Sequence, residues 1–128
     1  MLFKFSPFWI ALLLALAVPG GDAVHSQPGP APTATAMRDR LVLEATYREK
    51  LLLGAADARC TLLAGNARLT AQADRLRARG AFLRAGAPDD TVARIEADSR
   101  ATGATIACTE SRLQATARTA RAAHIAWA

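Results

Sequence analysis

The sequence predicts an all-α protein: an antiparallel hairpin of two long helices joined by one inter-helix disulfide, preceded by a signal peptide and a Pro-rich linker. Three observations carry this reading. Apolar or small residues recur in alternating steps of three and four on both sides of a Gly86-Ala87-Pro88 break. No sustained period-two alternation marks a strand. Beyond the apolar leader there are two cysteines, Cys60 and Cys108, at equal distances from the expected turn.

The first segment, 1–26, reads as a secretory signal peptide. Lys4 supplies a positive start, Phe8 through Val18 form an apolar run, and Pro19-Gly20-Gly21 breaks any helix. Small residues follow, and cleavage is expected after Ser26, with Ala23 as the second candidate. The apolar run is roughly half the ~20 residues that span a bilayer, so no stable membrane anchor remains after cleavage. Export places the mature chain in the periplasm or outside the cell. Residues 27–36 are Pro-rich and uncharged, which gives an extended linker.

The domain proper, 37–128, begins with a helical stripe through Leu41, Leu51, Ala55, Ala58, Leu62, Gly65, Leu69, Leu76 and Leu83. No Pro interrupts it before Pro88, so one long helix is expected, with a kink at Gly54. Gly86, Pro88 and the acids Asp89 and Asp90 supply stop and start signals for a turn. The second helix then carries Val92, Ile95, Ser99, Thr102, Ile106, Thr109, Leu113, Thr116, Ala120, Ala123 and Trp127 to the end. Folding the chain back about residue 84 sets Cys60 opposite Cys108, and also Leu41 opposite Trp127, Ala55 opposite Leu113, Leu62 opposite Ile106, and Leu76 opposite Val92. In an exported chain two cysteines form a disulfide. A bridge closing a loop of roughly fifty residues contributes about 4 kcal/mol on a chain-entropy estimate.

Charge and residue types exclude several functions. The formal net charge is +5, carried mainly by arginine. Arg75, Arg77, Arg79 and Arg84 cluster, and Arg112, Arg118 and Arg121 follow Glu110. Such clusters permit weak binding to an anionic surface. Export and the lack of interleaved aromatics exclude nucleic acid. No metal or other cofactor is expected, because His25 lies in the leader and His124 alone cannot assemble a ligand set. Asp89 and Asp90 read as acids at a helix start, and Glu96 and Asp98 as a solvated face; neither pair makes a catalytic centre, so no enzyme is expected. Leu69-Thr70-Ala71-Gln72 falls short of the Leu-Thr-x-x-Gln repeats of small periplasmic helical stress chaperones, since the Gln comes one residue early and no second copy exists.

What remains is a non-catalytic binding protein. Leu43, Leu52, Leu53, Leu63 and Phe82 lie outside the main stripe, and a two-helix hairpin has nowhere to bury them all. Leu52, Leu53, Leu63 and Phe82 are therefore the candidate partner-binding face. A second stripe, Leu53, Ala56, Cys60, Leu63 and Ala67, makes the apolar face wider than one neighbouring helix covers. The expected occupant is a protein of the cell envelope or a secretion apparatus, or a second copy of the chain. A periplasmic chaperone that holds unfolded clients is the alternative.

Overall fold

A computed structural model describes residues 29–127 of the chain. The expected signal peptide and its cleavage site lie outside the described residues. The compact unit begins at Ala31. It contains α1 (Ala34–Cys60), α2 (Gly65–Arg84), α3 (Asp89–Thr105) and α4 (Ser111–Trp127), and no strand occurs among the described residues. The all-α class and the Cys60–Cys108 bond hold, with Cα atoms 5.4 Å apart. Each expected long helix is divided in two.

The helix begins inside the expected linker. Thr33 keeps extended backbone angles, and its Oγ1 accepts a hydrogen bond from the Ala36 N–H at 3.2 Å. This satisfies one of the free donors of the first turn, so Ala34-Thr35-Ala36 are helical. At the other end Cys60 is followed by Thr61 in the left-handed region, φ 51°, with its N–H donating to the Asp57 carbonyl at 2.9 Å. The Asp57 carboxylate, almost fully buried, accepts from the Leu63 N–H and from Arg68 Nε, both at 2.7 Å. Arg68 also donates to the Leu63 carbonyl at 2.7 Å. These bonds compensate the backbone groups released by the break. Gly65, at φ +48°, then opens α2.

The turn between α2 and α3 matches its sequence signals. Gly86 takes φ +84°, its N–H donates to the Leu83 carbonyl at 2.9 Å, and Pro88-Asp89-Asp90 start the next helix. The second unexpected break follows Thr105. Ile106 turns extended, and the Glu110 carboxylate accepts from the Leu113 N–H at 2.7 Å at the start of α4. That bond first, and the Arg112 N–H second, hold the Glu110 carboxyl below its ordinary range.

The helix directions also differ from the hairpin expected. Tyr47 meets Glu96, Ala55 meets Gly103, and Cys60 meets Cys108, pairs separated by 48 or 49 residues. A constant difference means that α1 and α3 run in the same direction. The antiparallel partner of α1 is α2, which returns beside it: Tyr47 packs at a tilt against Phe82 with ring centres 6.2 Å apart, while Asp57 meets Arg68.

Two clusters form the core. One joins Tyr47, Ala78, Phe82, Ala87, Val92 and Ile95 from α1, α2, the turn and α3. The other joins Leu53, Ala56, Leu63, Leu113 and Ala117, so that α4 covers the second half of α1. The second stripe, not the first, is therefore the buried one, while Leu41, Leu69 and Leu76 of the first stripe face solvent. Exposure of Leu76 removes the expected Leu76–Val92 pair, while the Trp127 side chain of the expected Leu41–Trp127 pair lies outside the described residues. By breaking each long helix the chain supplies, from its own sequence, neighbours for a face too wide for one helix.

Candidate functional site

A cluster of polar side chains lies where α1, α2 and α3 converge. Tyr47 projects from α1 with its side chain buried in the core. That hydroxyl donates to Glu96 Oε1 of α3 at 2.7 Å, and Arg79 Nε of α2 donates to the same oxygen at 2.9 Å. Three helices are thereby tied at one carboxylate oxygen. Tyr47 first and Arg79 second lower the Glu96 carboxyl below its ordinary range, and Arg100 adds a weaker pull. Burial, together with the bond to Glu96, pushes the Tyr47 phenol up to about 12.

Beside this junction a groove of about 370 Å³ runs between the three helices, lined by Arg75, Arg79, Arg100, Glu96, Ser99 and Leu76 among others. Arg75 lies against Gly54: a Cβ built at residue 54 would stand 2.9 Å from Arg75 Nη1. This explains a glycine in the middle of α1, where it costs about 1 kcal/mol relative to Ala. The helix continues through it. Gly54 makes room for a guanidinium from the adjacent helix and does not end the α1 segment.

The disulfide corner forms a second constellation. Arg59 reaches across it, donating to Cys108 Sγ at 3.4 Å and to the Ile106 carbonyl. Arg121 donates to the Leu62 carbonyl at 2.8 Å. The two cationic side chains thus occupy carbonyls left free at the ends of helices, the role basic residues favour there. Each helix break sits at one end of the bridge, so the bond staples two loops.

The sequence-derived site residues are placed differently from expectation. Leu53, Leu63 and Phe82 are no binding face: they are 3%, 1% and 1% exposed, inside the core. The broken helices give them neighbours that a simple hairpin lacks. Leu52 is half-buried and lines a small cleft with Arg48, Asp98 and Arg112. The arginine cluster is also divided. Arg75 and Arg79 line the groove, whereas Arg77 pairs with Asp74 on the same helix at 2.6 Å. His124 Nδ1 lies 3.1 Å from Thr70 Oγ1, linking α4 to α2.

Sequence reasoning missed the Tyr47–Glu96–Arg79 junction. Its signal was present: Tyr47 is the one tyrosine in the chain, and a buried phenol requires a partner for its hydroxyl. Among the described residues no helix is long and apolar enough to cross a membrane, and no cluster of three or more His, Cys, Asp or Glu gathers to hold a metal. The disulfide fits an oxidising compartment.

No known protein family, no curated protein and no solved structure matches this chain.

Proposed function

We propose that the chain is an exported, non-catalytic helical protein that docks on a protein partner of the cell envelope or a secretion apparatus. The observation that supports this reading most is the start of α1. Residues 34–39 are exposed throughout, and Met37, Leu41 and Val42 present large apolar side chains, 48%, 61% and 60% exposed, while Leu43 beside them turns toward the core. The two long helical arms of the sequence reading no longer supply a face, but this overhang does. A helix that presents an apolar strip beyond its own core fits the groove or helix face of another protein. The disulfide supports the exported location.

Photo-crosslinking from position 41 in cells tests this. One discrete adduct, lost in Met37→Glu and retained in Leu69→Glu, is expected. Absence of any adduct from position 41, with the protein correctly oxidised, defeats the reading.

A chaperone that holds unfolded clients is the second reading. It is favoured by the dispersal of exposed Leu69, Leu76 and Ile125 over α2 and α4, with arginines nearby. Suppression of the aggregation of unrelated unfolded proteins by the purified oxidised protein is expected only on this second reading.

A further inference from the structure

We propose that the groove between α1, α2 and α3 is a binding site for a phosphate-bearing ligand, gripped by Arg75 and Arg100 with Arg79 beside them. This does not depend on the partner-binding reading, which concerns the opposite, N-terminal end of α1.

Three guanidiniums face the groove against one carboxylate, Glu96. That carboxylate is already engaged, since Oε1 accepts from both Tyr47 and Arg79. Among the described residues no acidic group lies within ion-pair distance of Arg75, yet its guanidinium lies over the α1 backbone in the space left by Gly54. A guanidinium held between two helices, away from bulk water on one side, is matched best by an anion arriving from outside. Ser99 offers an independent observation. It is 7% exposed, lines the same groove, and its hydroxyl makes no hydrogen bond to another described residue. The available groups are nearly all donors: the arginine forks and this hydroxyl. A carboxylate has two oxygens and is satisfied by a single arginine fork. Two forks, with the paired Arg79 adding charge beside them, suit a phosphate, with more oxygens and more charge. Leu51, Ala55 and Leu76 complete the lining, so the walls beside the charges are apolar. An organic phosphate with an apolar portion fits both parts.

Two sources share this chemistry, a free small phosphate and a phospholipid headgroup, and titration calorimetry separates them. The probes are pyrophosphate and dihexanoyl phosphatidic acid below its critical micelle concentration, with dihexanoyl phosphatidylcholine as the zwitterionic control. Saturable binding of an anionic probe to the oxidised protein is expected. Stronger binding of the phosphatidic acid assigns the lipid source, and equal or stronger binding of pyrophosphate assigns the free phosphate. Arg75→Gln and Arg100→Gln each lower affinity by about tenfold or more, as loss of a charge-assisted fork does. Arg118→Gln, at an exposed position of α4, removes the same charge and leaves affinity within about twofold. Gly54→Ala displaces the Arg75 guanidinium without removing it, so affinity falls although the protein remains folded by circular dichroism. Equal loss in Arg75→Gln and Arg118→Gln, or no saturable binding of either anionic probe up to about 10 mM, a range that covers even weak specific sites, overturns the proposal.

Discussion

Gly103 and Ala55 touch so closely that no side chain fits between their helices. A Cβ built on Gly103 would lie 2.5 Å from the Ala55 Cβ and 3.0 Å from the Ala55 carbonyl carbon. Backbone cannot swing away as a flexible side chain can, so Gly103→Ala forces α1 and α3 apart. The expected cost is about 2 kcal/mol, the usual range for overpacking, read as a lower urea midpoint at unchanged slope. Gly54→Ala is the contrast. It meets only the far end of Arg75, so the protein is expected to keep its stability or gain up to about 1 kcal/mol from helix propensity.

The Cys60–Cys108 bridge spans 48 residues of sequence. Its loss is expected to cost up to about 4 kcal/mol. Cys60→Ser, Cys108→Ser and the double variant should melt at the same temperature, well below the oxidised protein, and reductant should bring the wild type to that value. A single Ser variant as stable as the oxidised protein would contradict the stapling role.

The junction at Glu96 makes stability depend on pH in two places. Folding lowers the Glu96 carboxyl below its ordinary value of 4.5. Its contribution is therefore complete above that value and disappears as the pH falls through the lower, folded one. Folding raises the Tyr47 phenol from 10.0 to about 12. That contribution is complete below the unfolded value and is lost as the pH climbs through about 12. Tyr47→Phe keeps the ring and removes the donor. It should cost about 1 kcal/mol at neutral pH and flatten the alkaline limb of a thermal-melt series against pH. Glu96→Gln should flatten the acid limb.

Asp57 holds the break between α1 and α2 from within the core. Asp57→Ala leaves the Leu63 N–H without its acceptor and removes the partner of Arg68, whose own side chain is about half exposed. The expected loss is about 2 kcal/mol. Hydrogen exchange locates it: protection at Leu63 and along the first turn of α2 should fall before that of the Tyr47–Phe82 cluster. Uniform loss across both regions would show that the carboxylate acts on the whole fold and not on the break.

The helical class was legible because apolar spacing is a local property. The α2–α3 turn was legible because Gly86 and Pro88 announce it chemically. The other two breaks carry no such punctuation. Thr61 adopts a left-handed conformation uncommon for a threonine, and its compensation comes from Asp57 and from Arg68, eleven positions beyond that acid. Glu110, a residue type seldom used to cap a helix, supplies the other restart. Helix direction was hidden for a different reason. One pair of cysteines fits a fold-back register and a same-direction register equally well. Only further pairs, Tyr47 with Glu96 and Ala55 with Gly103, separate the two. The candidate face failed with the direction, since Leu53, Leu63 and Phe82 lack cover only in the simpler hairpin.

Because α1 meets its same-direction neighbour 48 or 49 residues further along the chain, it is the first of the described helices made and the last satisfied. As synthesis proceeds, α2 can fold back onto α1, but Leu53 and Ala56 stay uncovered until α4 has emerged. Contacts this distant in sequence slow folding and leave apolar surface open in the meantime. Cys60 waits through the same interval for Cys108. Disulfide closure must therefore come after nearly the whole chain has appeared, since an oxidant acting earlier finds no second cysteine of the same chain to join to Cys60.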